Sequence, residues 1–285
     1  MSLTTFTLSE VSTRLRIDLG YLGTNFSGWA IQPGLRTVQG SLEEALSIAL
    51  RCDRKLITLV VAGRTDAGVH ALHQVCHVDI PEGVKLGNLE SLQKRVQGTL
   101  RTDDIALHQL SVAPEGFEAR FSALSREYEY RIDDRSSKRN PLHHLFTYRS
   151  PYTLDDAAMN KLSRDLCGLH DWAAFCRPKP GATTIRTLTH FEWTRDADGI
   201  LTGSVIADAF CHSMVRSLVG SAVAVGRGKL SATEVLKLRD KGERTSAWTT
   251  MPAKGLTLIS VEYPSDDQLA QRAKDTRAKR GPTSD

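Results

Sequence analysis

Three segments of this chain alternate polar and apolar residues with a period of two: residues 14–19, 73–80 and 127–133. A two-residue period puts alternate side chains on opposite faces of an extended backbone, so each segment is predicted to be a strand. In 73–80, Gln74, Cys76, Val78 and Ile80 share one face, and His73, Val75, His77 and Asp79 share the other. In 127–133, Tyr128, Tyr130 and Ile132 lie opposite the charged residues. Residues 56–61 form an apolar run of strand length that breaks at Gly63, and further strands are predicted at 188–194, 200–207 and 256–263. Helical spacing separates these strands. Val38, Leu42, Ala45, Leu46, Ala49 and Leu50 recur on one helical face, with Thr37 better placed than Ser41 as N-cap. Leu154, Ala158, Leu162 and Leu166 repeat every four residues up to Gly168, and 213–226 is an apolar helix carrying one charge, Arg216. Ser231 and Glu234 have capping-box spacing for a short helix. Hairpin-like strand pairs with separate helices predict an α+β fold, not a doubly wound parallel sheet.

Residues 134–151 are charged, contain proline and have no period, so they mark the best connection between two units. The expected organisation is an N-terminal α+β subdomain (1–134), a connecting segment (135–151), a C-terminal α+β subdomain (152–264) and a frayed polar tail (265–285).

Composition narrows the class. Hydrophobic residues at 40% and charged residues at 25% describe a globular chain, and no apolar run approaches the roughly eighteen residues of a membrane span. The N-terminus lacks a basic region followed by an apolar core, so no export signal is expected. Five cysteines, Cys52, Cys76, Cys167, Cys176 and Cys211, are widely spaced and form no Cys-x-x-Cys pair; reduced thiols in a cytoplasmic protein are the expectation. A net charge of +4 permits a polyanionic partner without requiring one. Basic groups occur at Lys94, Arg95 and Arg101, and at Arg135, Lys138, Arg139 and Arg149.

The chemistry concentrates in Gly63-Arg64-Thr65-Asp66-Ala67-Gly68, where a strand runs into a glycine-flanked loop. Such loops let the backbone turn tightly and display a reactive side chain. Arg64 could hold the Asp66 carboxylate ionised, ready to act as nucleophile or base. Spacing alone favours the plainer reading, a turn fixed by an Arg–Asp pair. His70, His73, His77 and Cys76 do not make a metal site by spacing, since a strand puts His77 and Cys76 on opposite faces. The Gly226–Lys229 stretch (Gly-Arg-Gly-Lys) lacks the rest of a phosphate loop and is read as a helix end.

The run Ala62-Gly63-Arg64-Thr65-Asp66-Ala67-Gly68-Val69-His70-Ala71, followed by Gln74-Val75, resembles the active-site signature of the TruA family of tRNA pseudouridine synthases. Gly23-Thr24-x-Phe26-x-Gly28-Trp29, Arg126-Glu127-Tyr128-Glu129-Tyr130, Phe210 with Met214-Val215-Arg216, and Pro252-Ala253-x-Gly255-Leu256 resemble further family stretches in the same order. The resemblance spans about residues 14–264. Leu22, Ala30 and residues 96–101 depart from the family pattern, on segments read as loops that touch RNA.

The resemblance implies a pseudouridine synthase fold: a mixed, mainly antiparallel sheet with flanking helices, in two similar subdomains around a central cleft. It implies a cofactor-free isomerase that converts uridine to pseudouridine at positions 38, 39 and 40 of the tRNA anticodon stem-loop, acting as a homodimer and without a metal. Asp66 would be catalytic, and Arg64, Tyr128 and Arg216 would bind substrate. Tyr128 would stack on the extruded uracil, and Arg64 would replace the flipped base or touch phosphate. Arg216, a lone cation in an apolar helix, would need a partner such as Asp66.

Overall fold

The computed structural model describes residues 13–177, 181 and 183–278. Ten strands make one sheet: β1 (Thr13–Tyr21), β2 (Leu59–Val61), β3 (His70–Ile80), β4 (Ile105–Val112), β5 (Ser125–Asp133), β6 (Tyr148–Arg149), β7 (Gly168–Asp171), β8 (Ile185–Arg195), β9 (Leu201–Ala207) and β10 (Leu256–Glu262). Their order is β4-β1-β3-β10-β5-β9-β8-β7, with β2 paired to β3 and β6 to β5. Only β10–β3 and β5–β6 pair parallel. The sheet is therefore mainly antiparallel, as the α+β expectation required.

The described helices are α1 (Val38–Leu50), α2 (Leu89–Leu100), α3 (Asp156–Leu166), α4 (Met214–Gly226), α5 (Ala232–Lys241) and α6 (Leu269–Ala278). Thr37 caps α1 by accepting from the Gly40 amide, and Ser231 and Glu234 form the reciprocal box on α5. One face of the sheet packs against α1 to α4: Cys76, Val78 and Ile80 of β3 share a core with Leu42, Leu46, Leu162 and Leu218. Val75, from the opposite face, joins Ala62, Phe117 and Leu269 in a smaller cluster. The second face of β3 is thus buried at Val75 and His77, where a C-terminal helix and Phe117 cover it, and exposed at His73 and Asp79.

Several expectations are corrected here. Residues 96–101 are not a free loop: Asn88 caps α2, Leu92 and Val96 are buried, and the helix ends at Arg101 in a left-handed conformation, φ 48°. Residues 265–278 are not a frayed tail, since Leu269 and Ala273 of α6 are buried and the Leu269 carbonyl accepts from Ser122. Lys279 and Arg280 lie outside the described residues. Strand β2 is shorter than 56–61 because Asp53 caps a 3-10 turn at Arg54–Leu56. The five thiols are not all free. The structure joins Cys176 to Cys211, their Cα atoms 5.8 Å apart, because the loop after β9 folds back onto the segment after β7.

The three strand histidines serve separate contacts. His70 accepts the Gly23 amide on Nδ1 at 2.9 Å and reaches the Lys254 carbonyl through Nε2 at 3.1 Å. His73 packs edge-on against His108, and His77 accepts from the Ala119 amide at 3.1 Å.

Candidate active site

The loop between β2 and β3 is fixed at almost every residue. Buried backbone groups need partners, and here each finds one from a different part of the chain. Ala62 donates to the Val75 carbonyl, and its own carbonyl accepts from Arg126. The Gly63 carbonyl accepts from Gln74, the Thr65 carbonyl from the Trp29 amide, and Gly68 donates to Phe26. The Val69 amide closes a turn onto the Asp66 carbonyl at 3.1 Å. The Thr65 hydroxyl meets Tyr21 Oη at 2.8 Å, and burial pushes the Tyr21 phenol up to about 12, so it stays protonated for that bond. Gly28 packs against this loop with φ +88°; a Cβ there would stand 2.9 Å from the Thr65 carbonyl oxygen and 3.1 Å from the Ala67 nitrogen. Only glycine fits that combination of left-handed backbone and close approach.

The strand leading into the loop is anchored from α1. Glu43, buried on that helix, accepts from the Leu59 amide at 2.7 Å and also pairs with Arg54.

Asp66 projects from this frame with its side chain 31% exposed. Arg216 Nη1 stands 3.2 Å from Oδ2, and His212 Nε2 stands 3.6 Å from Oδ1. Arg216 comes from the first turn of α4 and is itself clamped. Its Nε donates to the Met251 carbonyl at 2.6 Å, and its own carbonyl accepts the Met251 amide. Close packing of α4 makes this possible: a Cβ at Gly220 would lie 2.1 Å from the Thr249 carbonyl oxygen. The lone charge in an apolar helix therefore has the partner its burial demanded.

Tyr128 lies on β5, in register with Leu258 of β10 and Val205 of β9, while Leu258 is in register with Ala71 of β3. The aspartate loop and the tyrosine are thus brought together over the central strands. Burial drives the Tyr128 phenol far above its ordinary value, with smaller effects from Tyr21, Arg126 and the neighbouring Asp66 charge. Its ring lies 5.3 Å from that of Phe210, almost perpendicular.

Arg64 is not drawn in. It is exposed and, among the described residues, has no ion-pair or hydrogen-bond partner. The guanidinium beside Asp66 belongs to Arg216, not to the neighbour two residues away. His212 escaped the sequence reading altogether. Its signal was its place four residues before Arg216, but the helix begins only at Met214, so no periodicity links the two.

A fixed carboxylate flanked on both oxygens by groups able to carry positive charge is held in one orientation. Set beside a neutral phenol in a partly closed site, it can attack an electrophilic carbon or take a proton from one. Comparison with known proteins assigns the chain to a family. The tRNA pseudouridine synthase family profile matches residues 162–264. A tRNA pseudouridine synthase A of Leifsonia xyli subsp. xyli is 52% identical over 286 residues, covering 96% of this chain and 99% of the relative. Those of Frankia casuarinae and Streptomyces avermitilis are 49% and 47% identical, covering 96% and 94% of this chain and 98% and 94% of theirs. The chain belongs to the tRNA pseudouridine synthase A family, the TruA family.

Proposed function

We propose that this protein, an isomerase by family, converts uridine to pseudouridine at positions 38, 39 and 40 in the anticodon stem-loop of tRNA, with Asp66 as the nucleophile. The observation that carries the reading is the Asp66 carboxylate held at 3.2 Å by Arg216, beside the buried ring of Tyr128. The reaction breaks the N1–C1′ bond, rotates the uracil, and joins C5 to C1′. The C5 proton leaves and N1 is protonated, so atoms and electrons balance without an electron carrier. A target base inside a stem must leave its stack to reach a side chain. Arg64 is exposed, two residues from Asp66, and in this reading it fills the space the base vacates or contacts phosphate. Tyr128 offers the ring for the extruded uracil, and its hydroxyl is the group to assist proton removal at C5. Arg216 keeps Asp66 oriented throughout.

The same reading places the protein in the cytoplasm, where tRNA is processed, as a homodimer with each tRNA touching both copies. It divides the chain at 135–151, so that the site draws Asp66 and Tyr128 from the first unit and Arg216 from the second. Asp66→Asn tests the chemistry. Pseudouridine formation should fall below detection while tRNA binding persists; product at an undiminished rate would sink the assignment. Mapping pseudouridine in tRNA from cells without the protein should show losses confined to the anticodon stem-loop, and losses elsewhere would mean another specificity.

A further inference from the structure

We propose that Cys176 and Cys211 form a reversible thiol–disulfide modification site that governs access to the Asp66 centre. The inference rests on the site assignment above, because Cys211 sits between two residues of that site. Phe210 packs on Tyr128 and His212 faces Asp66. The segment 208–213 joins β9 to α4. At its near end Asp208 is pinned: its carbonyl accepts from Arg126 at 2.7 Å, and its carboxylate accepts from the Thr187 amide at 3.0 Å. At its far end α4 begins, after Ser213 in a left-handed conformation with φ 65°. Between these ends, two links join the segment to residues 176 and 177. One is the disulfide, and the other is the Arg177 amide bonded to the His212 carbonyl at 3.0 Å.

Access follows from that tether. Tyr128 is only 7% exposed, so no face of its ring is free to receive a base while Phe210 stays in place. Phe210 must withdraw, and it is the immediate neighbour of the tethered Cys211. With the bridge closed, a covalent link opposes that movement together with two hydrogen bonds, Arg177 amide to His212 carbonyl and Met214 amide to Cys211 carbonyl, and the core contacts of Phe210. With the bridge open, only those non-covalent contacts oppose it, and loop motions can break them. The oxidised protein is the occluded form and the reduced protein the competent one.

The exchange is chemically complete with a small-molecule disulfide as oxidant. Cys211, the more exposed of the two, attacks as thiolate on one oxidant sulfur and expels one thiolate. Cys176 then attacks the mixed disulfide at the Cys211 sulfur and expels the second. Two electrons pass to the oxidant, and the two protein thiol protons end on the two released thiols. A dithiol reverses each step.

The test uses the full-length protein, fully reduced with dithiothreitol or oxidised with glutathione disulfide. Peptide mass analysis should find the 176–211 linkage in the oxidised sample. Activity on tRNA should fall at least about tenfold and return on reduction. Cys176→Ser and Cys176→Ala should keep the reduced protein's activity and lose its sensitivity to oxidant. Because Cys52 and Cys167 are also partly accessible and Cys211 alone can hold a mixed disulfide with the oxidant, equal inhibition of the Cys176 variants would place the effect outside the bridge and overturn the proposal. Absence of the linkage, or equal turnover by both forms, would overturn it too. Hydrogen exchange over residues 208–213 reads the loop without turnover: it should be faster in the reduced wild type, and identical exchange refutes the tether. That readout separates failure here from failure of the functional reading, in which neither form would make pseudouridine.

Discussion

At the scale of single residues, the site depends on one arginine doing two things at once. Arg216 donates through Nε to the Met251 carbonyl and through Nη1 to Asp66. A planar guanidinium can make both bonds in fixed geometry; an ammonium offers a single point of charge and cannot. Arg216→Lys should therefore lower kcat about 10- to 100-fold, the range set by a lost charge-assisted hydrogen bond of about 1.5–3 kcal/mol. KM should move much less, and unchanged kcat would show that Asp66 is positioned by its loop alone. Asp66, Tyr128 and Arg216 were legible because the resemblance carried their motifs, and the cost of an unpaired charge in an apolar helix said that Arg216 needed a partner. His212 was not legible. Its proximity to Asp66 arises from a left-handed turn at Ser213 that no local pattern announces.

At the scale of elements, alternation and helical spacing located most strands and four helices, with boundaries shifted by a few residues. The failures have a common cause. In α2 only Leu92 and Val96 are fully buried; Leu89 and Leu100 are partly buried at its two ends and the residues between are mostly polar, so its apolar stripe is narrow. In α6 only Leu269 and Ala273 are buried. What makes α6 an element is its partner surface, Phe117 and Ala119, which lies far away in sequence. Leu269→Ala should cost about 2–4 kcal/mol of stability, the usual range for emptying a buried leucine site. Thermal unfolding would check this, with activity at low temperature retained. A melting point equal to wild type would mean that α6 merely rests on the sheet.

At the scale of the whole molecule, distant segments are joined through histidines that must be neutral. His70 links the Gly23 amide to the Lys254 carbonyl, and His77 holds the Ala119 amide. Burial lowers the basicity of both. In His77 burial is the main cause and Arg14 adds to it, against Asp79, bringing it from 6.5 to about 4. An acceptor nitrogen cannot carry a proton, so the folded state excludes protons that the unfolded chain would bind. Stability is fully present above the ordinary value of 6.5 and is lost as pH falls toward about 4. Denaturant unfolding at pH 7 and pH 5 should show a loss on the order of 1–2 kcal/mol at the lower pH, and His77→Gln should flatten that slope. A slope unchanged in the variant would place the pH dependence elsewhere. The sheet order itself was beyond local reading, since β10 enters between β3 and β5 and no short-range pattern specifies that insertion.

That insertion has a temporal consequence. Strand β10 begins only at Leu256, and among the described residues it is the one strand between β3, which follows the aspartate loop, and β5, which carries the tyrosine. While the polypeptide is still being synthesised, β3 and β5 have no strand to bring them into register. The ribosome must translate through β10 before the Asp66 loop and Tyr128 can be brought together, so fragments that stop short of Leu256 would carry the loop without that geometry.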